Sequence, residues 1–298
     1  MGFFVMLLEK YLWGEYMKFV ILGSGGCVCT PKPLCQCNVC IEAREKGFPY
    51  ARCGVSLYLA DIAMLVDTPE DIAVALNNAD VKAVDSIMYS HWDPDHTLGM
   101  RIVEQLRLEW LEFCVGIKPE NPINVYASAE TMSDINAIKN KFGSFLDYYE
   151  SINLIKRQVV DVSVEINNIK ITLIPTPENK GVSVFVFESK GKKLIYAPCD
   201  CTPFPENELL YNADMLIIGD TVVGDVGKNG RAIGADHPLR DEFHSFEEIL
   251  MLKERLNVKH VIITHLEEIY GKTYDDYCEL EKQYEGVRFA YDGMRIEL

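Results

Sequence analysis

Between residues 152 and 197 five strand-like runs follow one another, at 152–156, 160–166, 169–174, 182–188 and 193–197, with no crossover helix among them. A doubly wound sheet needs such helices, so this stretch argues against a dinucleotide-binding fold. Before it, strand-like runs at 19–22, 55–59, 63–66, 86–90 and 123–126 alternate with helical segments ending near 77 and spanning 98–108 and 129–141. After it come a short helix near 206–211, strands at 215–218 and 260–264, helices at 245–256 and 274–284, and closing strands. Two sets of strands, each followed by helices, predict two sheets packed face to face with helices outside.

Composition points to one domain. The chain has 298 residues, 48% of them hydrophobic and 25% charged, without low-complexity tracts or repeats. Strand-like sequence begins at Met17-Lys18-Phe19-Val20, which makes Met17 a candidate start. Residues 1–16 read as an N-terminal extension and 17–298 as the domain. The apolar run at 3–8 lacks a basic flank and a cleavage site, and no segment has the roughly 20 apolar residues of a bilayer span. A cytoplasmic protein is expected, with no membrane partner. The net charge of −16 repels phosphate backbones and no basic stripe offsets it, so no nucleic-acid partner is expected. A small anionic substrate held by metal ions stays compatible with that charge.

Ten cysteines are unevenly spread. Cys27 and Cys29, then Cys35, Cys37 and Cys40, crowd fourteen positions, a spacing awkward for disulfides but suited to a metal. Cys53, Cys114, Cys199, Cys201 and Cys278 are scattered, and a reducing compartment is the default. The loop Gly23-Ser24-Gly25-Gly26 follows the first strand but lacks the lysine of a phosphate-binding loop and leads into cysteines. It reads as a tight turn that lets backbone approach another element.

The chemistry concentrates in His91-Trp92-Asp93-Pro94-Asp95-His96, at the end of a buried-type strand. Pro94 keeps the segment out of regular helix, so two imidazoles and two carboxylates can converge on one point, a set suited to divalent metals. A helix N-cap would account for Asp95 but not for a histidine at both ends.

On these residues the chain resembles the metallo-β-lactamase superfamily, whose signature is His-x-His-x-Asp-His after a strand. The resemblance implies an α/β fold, an αββα sandwich of two mixed sheets, and a metal-dependent hydrolase with two divalent metal ions. It makes Asp67 an outer carboxylate orienting a motif histidine, Asp200 the carboxylate bridging two metals, and His265 the last histidine ligand. Within the superfamily the chain looks most like the phosphoribosyl cyclic phosphate phosphodiesterases of the carbon–phosphorus lyase pathway. In those, Cys35-x-Cys37-x-x-Cys40 corresponds to a structural zinc cluster, His244-Ser245-Phe246 to a proton-donating histidine, and Tyr291-Asp292-Gly293-Met294 to the closing strand.

Two departures fall on one metal. Asp93 stands where the family has histidine, and Glu178, in Pro175-Thr176-Pro177-Glu178-Asn179, is the nearest candidate for the central histidine. The first site would then be His91, Asp93, Glu178 and Asp200, and the second Asp95, His96, His265 and Asp200. The added oxygens favour manganese or iron(II) over zinc at the first site. At the structural zinc, Glu268 replaces a family histidine, so the fourth ligand is Glu268, Cys27 or Cys29. The expected activity is metal-assisted attack of water on a small cyclic or linear phosphodiester, with His244 as general acid, and with room for a homodimer. The rivals are a metal- or redox-binding protein with a remodelled, non-hydrolytic site, and an esterase or lactonase of the same fold. His237 reads as an exposed loop histidine, and Trp92 and Trp110 as packing residues.

Overall fold

The computed structural model describes residues 17–298; the extension read at residues 1–16 lies outside them. Side-chain alternation along the strands builds the layers, because successive residues point to opposite faces of a sheet. In β1 (Lys18–Gly23) Phe19 and Ile21 face the apolar layer between two sheets, whereas Val20 and Leu22 face the helices outside. In the second sheet, Leu194 and Tyr196 enter the same central layer while Ile195 and Ala197 pack under the opposite helices. Every one of these side chains is buried. Two half-buried faces thus give three apolar layers, and the chain is an αββα sandwich.

The first sheet runs β1, β2 (Ser56–Leu59), β3 (Met64–Val66), β4 (Ser86–Met88), β5 (Ile123–Ala127) and β6 (Ile155–Val159), with the last strand of the chain, β14 (Met294–Glu297), outside β1. The second runs β7 (Ser163–Ile166), β8 (Ile169–Pro175), β9 (Ser183–Ser189), β10 (Lys192–Ala197), β11 (Met215–Ile218), β12 (His260–Ile263) and β13 (Val287–Phe289). Both sheets are mixed in the same way. The pairs β14–β1, β1–β2 and β2–β3 are antiparallel, then β3–β4, β4–β5 and β5–β6 are parallel. The second sheet repeats this, antiparallel from β7 to β10 and parallel from β10 to β13. The parallel halves matter for function, since the carboxyl ends of parallel strands gather at one edge, where ligand sites in α/β sheets form.

Some local expectations are corrected. The strand read at 152–156 begins at Ile155, because a helix, Phe145–Ser151, precedes it. Ser144 caps that helix by accepting from the Leu146 and Asp147 amides, and Asn153, at φ 62°, turns the chain into the strand. The helix read at 98–108 is confined to Ile102–Arg107, and the one read at 206–211 shrinks to a single turn, Glu208–Leu210. Pro94, expected to keep its segment out of regular helix, instead starts a short one, Pro94–Thr97, where proline's fixed φ and missing N–H are tolerated. The glycine loop is a close approach: a Cβ on Gly23 would lie 1.9 Å from the Gly54 carbonyl oxygen. Among the described residues no helix is long and apolar enough to cross a membrane.

Candidate metal centre

Four residues of the site stand just beyond strand ends with left-handed backbone: Asp67 (φ 61°) after β3, Asp200 (φ 51°) after β10, Asp220 (φ 47°) after β11 and His265 (φ 55°) after β12. This conformation costs non-glycine residues energy and persists where the surroundings impose it. It turns the chain sharply at the strand end. Gly219 makes room for the turns, since a Cβ there would lie 1.7 Å from the Pro198 oxygen and 2.8 Å from the His265 Cβ.

Asp67 is fully buried and organises the first histidines. Its Oδ2 lies 2.9 Å from His96 Nδ1 and accepts from Ser90 Oγ at 2.6 Å, and its Oδ1 accepts the Ser90 amide at 2.8 Å. Ser90 Oγ in turn lies 2.9 Å from His91 Nδ1. With both Nδ1 atoms engaged, the Nε2 atoms of His91 and His96 are left buried with no hydrogen-bond partner. His265 is backed by an ion-pair contact and not by a hydrogen bond, its Nδ1 lying 3.1 Å from Asp220 Oδ1 and its Nε2 3.5 Å from Asp95 Oδ2. His265 Nε2 and Asp95 Oδ2 are also without hydrogen-bond partners.

Ligand atoms converge in overlapping sets, each within 4.8 Å: Asp95, His96 and His265; His91, Asp93 and Asp200; His91, His96 and Cys199; and Cys199, Asp220 and His265. Uncompensated burial of this kind is costly in a protein interior. The charges suit a bound cation. Burial works against it, yet Asp220 and Asp95 push the His265 imidazole up to about 9. Burial likewise opposes ionisation of Asp95, but His265 and His96 hold its carboxyl down to about 2. Histidine and carboxylate donors that are buried, oriented from behind and unpartnered in front fit divalent metal ions.

Most of the motif residues are thereby brought together: His91, Asp93, Asp95, His96, Asp200 and His265. Glu178 is not. It is exposed and joins none of these sets. Its loop closes on itself instead, with Thr176 Oγ1 and the Val182 amide donating to the Asn179 carbonyl at 2.7 and 3.0 Å. Cys199 and Asp220 are the residues that sequence reasoning missed. The only available signal was their place at strand ends beside residues that were recognised.

The sulfurs of Cys35, Cys37 and Cys40 cluster as the spacing predicts, with Cys35 Sγ and Cys37 Sγ 3.4 Å apart. Glu268 does not join them. Its buried carboxylate accepts from Lys228 Nζ at 2.8 and 2.6 Å, and the same Nζ lies 3.9 Å from Cys35 Sγ. Cys27 and Cys29 also stay outside the cluster; the Cys27 amide donates to Glu267 at 2.7 Å and Cys29 Sγ sits 3.8 Å from the Pro31 oxygen.

His244 joins no ligand set. Its amide donates to the Asp220 carbonyl at 2.9 Å, and its Nε2 donates to the Cys201 carbonyl at 3.2 Å. The ring is thus tied to both loops that carry the centre. It lines a cleft of about 860 Å³ with Pro177, Thr202, Phe204, Glu206 and Arg255, the last being the one cation among the lining residues. His237 is partly exposed and accepts the Leu239 amide at 3.2 Å. Trp92 and Trp110 are not packing residues: they are 44% and 63% exposed. Trp110 lies on a short helix with no buried residue, and Trp92 points outward between ligands.

The family model of the beta-lactamase superfamily domain matches residues 63–266. Solved structures of like fold include a diphosphatase of the PhnP family, at 20% identity and a TM-score of 0.67, covering 95% of this chain and 98% of that one. Zinc-bound PqqB from Methylobacterium extorquens is 18% identical with a TM-score of 0.69, over 95% and 100% of the two chains. The short form of human tRNase Z is 15% identical with a TM-score of 0.59, over 94% and 98%. At such identities the likeness is one of fold. No curated protein matches the chain.

Proposed function

Because the chain belongs to the beta-lactamase superfamily, a family of metal-dependent hydrolases, we propose that it hydrolyses a small phosphodiester at the centre formed by His91, His96 and His265. The observation that carries this reading is the set of buried, unpartnered nitrogens and carboxylate oxygens, with His244 tied to the Asp200 loop through the Cys201 carbonyl. His91, Asp93 and Asp200 would hold one divalent cation, and Asp95, His96 and His265 a second. Cations bound there would lower the pKa of a water molecule and polarise phosphoryl oxygens.

The protein's own groups do the rest. Asp67, Ser90 and Asp220 fix the imidazoles from behind, so that Nε2 faces inward in each. Asp200 is exposed, which opens that side of the centre to substrate. His244, tethered through Cys201 and Asp220, gives a proton to the leaving alkoxide. Arg255, paired with Glu206 at 2.8 Å, is the one cation of the cleft, which Glu206 and Glu248 also line. A net charge of −16 favours a small substrate over a nucleic acid. The Cys35, Cys37 and Cys40 thiolates would hold a structural zinc, with Lys228 balancing their charge.

The test begins with metal analysis of protein purified without added metal. It then compares a chromogenic aryl phosphodiester and small cyclic phosphodiesters with carboxyl esters and lactones. Phosphodiester turnover that disappears on chelation is expected. Hydrolysis confined to esters or lactones, or none by the metal-loaded protein, overturns the proposal.

A further inference from the structure

We infer that Cys199 is a thiolate ligand shared by the two halves of the metal centre, where the resemblance led us to expect a bridging carboxylate. The inference rests on reading the cluster as a metal centre, and not on the substrate. Cys199 Sγ lies within 4.8 Å of the ligand nitrogens of His91 and His96, and also within 4.8 Å of donor atoms of Asp220 and His265. Among the described residues it alone is common to these two triads. Among the described residues Asp200 joins one such triad, with His91 and Asp93, and its Oδ1 lies 4.0 Å from Cys199 Sγ.

The backbone explains why the sulfur, and not the neighbouring carboxylate, takes the inner position. Asp200 has a left-handed φ of 51°, and its amide is held by Asp220 Oδ2 at 2.6 Å. Cys199 Sγ stays 4.0 Å from Asp200 Oδ1, so the two side chains are neighbours that differ in burial. Cys199 is 7% exposed, while Asp200 is open to solvent. Cys201 pins the same loop, its Sγ donating to the Cys199 carbonyl at 2.9 Å, and is itself buried in the apolar layer under the outer helices.

Around Cys199 the partners are in place for a cation. His91 Nε2, His96 Nε2 and His265 Nε2 are buried without hydrogen-bond partners, and the three histidines are at most 3% exposed. On binding, a divalent ion replaces the thiol proton, which leaves to solvent, so uptake is coupled to proton release. A thiolate at this position favours zinc or iron(II) over the harder manganese and magnesium. That reverses the preference expected from an oxygen-rich first site.

Cobalt(II) loading of the full chain tests this without an activity assay, because thiolate–cobalt charge-transfer absorption reports sulfur ligation directly. Wild type, Cys37→Ser, Cys199→Ser and Cys199→Asp are compared for cobalt per chain and for that absorption. We expect Cys37→Ser to remove one share of the band and Cys199→Ser a separate share, the two losses being additive. Cys199→Asp, which restores an anionic ligand and guards against a folding failure of the serine variant, should keep the centre loaded yet lack the same share. Zinc affinity of the centre should fall by more than about 10-fold in Cys199→Ser, the lower end of what losing even an outer partner costs. A Cys199→Ser or Cys199→Asp spectrum equal to wild type at equal cobalt loading overturns the inference while leaving the centre standing. If His265→Ala binds as much cobalt as wild type, there is no metal at the cluster, and both readings fall.

Discussion

Asp220 stands behind His265 as Asp67 stands behind His96: the carboxylate oxygens lie 3.1 and 2.9 Å from the respective Nδ1 atoms. One pair comes from each sheet, at the carboxyl ends of parallel strands. Each carboxylate sets ring orientation and raises the basicity of the nitrogen that faces inward. Replacing Asp220 by Asn should therefore lower metal affinity by roughly 10–100-fold with the far-ultraviolet circular dichroism unchanged. Metal titration against a competing chelator measures this, and affinity within twofold of wild type would remove Asp220 from the role.

Cys37→Ser separates the cysteine cluster from the active centre. Zinc per chain and melting temperature should both fall, as one thiolate of three is lost close to the helix Asn38–Lys46. Unchanged zinc content in that variant would sink the structural-zinc assignment.

His244→Ala should cut phosphodiester turnover by about two to four orders of magnitude while metal content holds, because the ring lies outside every ligand set. If metal leaves in step with activity, His244 is a ligand and not an acid.

Glu178→Ala should leave metal stoichiometry and metal preference as they are in wild type. Its side chain is exposed on a self-closed loop. A lost metal or a changed order of zinc and manganese would return Glu178 to the centre.

Asp292 sets a pH dependence of stability. It accepts from the Ser24 amide and hydroxyl at 2.9 and 2.8 Å and from the Cys53 amide at 2.7 Å, tying the closing turn to the glycine loop. Burial nevertheless dominates and pushes its carboxyl up to about 7. Between about pH 4 and 7 the unfolded chain has released this proton while the folded chain keeps it, so stability falls as pH rises through that window. Relative to Asp292→Asn, which cannot ionise, wild type should lose about 2–3 kcal/mol between pH 5 and 8. Urea unfolding at both pH values measures it, and parallel curves for the two proteins would disprove it.

Much of this was legible before any coordinates. Two sets of strand-like runs, each followed by helices and one of them free of crossover helices, suffice to predict two stacked sheets, because each sheet must bury a face against another layer. His91, Asp93, Asp95 and His96 were legible because six consecutive residues cannot separate far in space, whatever the rest of the chain does. Asp67 and His265 were legible through the resemblance, which their places at the ends of apolar strands allowed to be drawn. The helix Phe145–Ser151 was not, since Phe145, Leu146, Tyr148 and Tyr149 mix strand-like residues into a short segment whose cap, Ser144, is an ordinary serine.

Tertiary structure decided what spacing left open. Glu178 and Glu268 have suitable chemistry, yet one is turned out on a closed loop and the other is taken by Lys228. Cys199 and Asp200 are neighbours in sequence with comparable ligand chemistry, and the linear chain holds nothing to rank them. The choice follows from a single left-handed turn at Asp200 and the grip of Asp220 on its amide, both imposed by contacts between strands twenty residues apart. Local composition determines which residues could be ligands; which of them point inward depends on dihedral angles that only the packed sheets enforce.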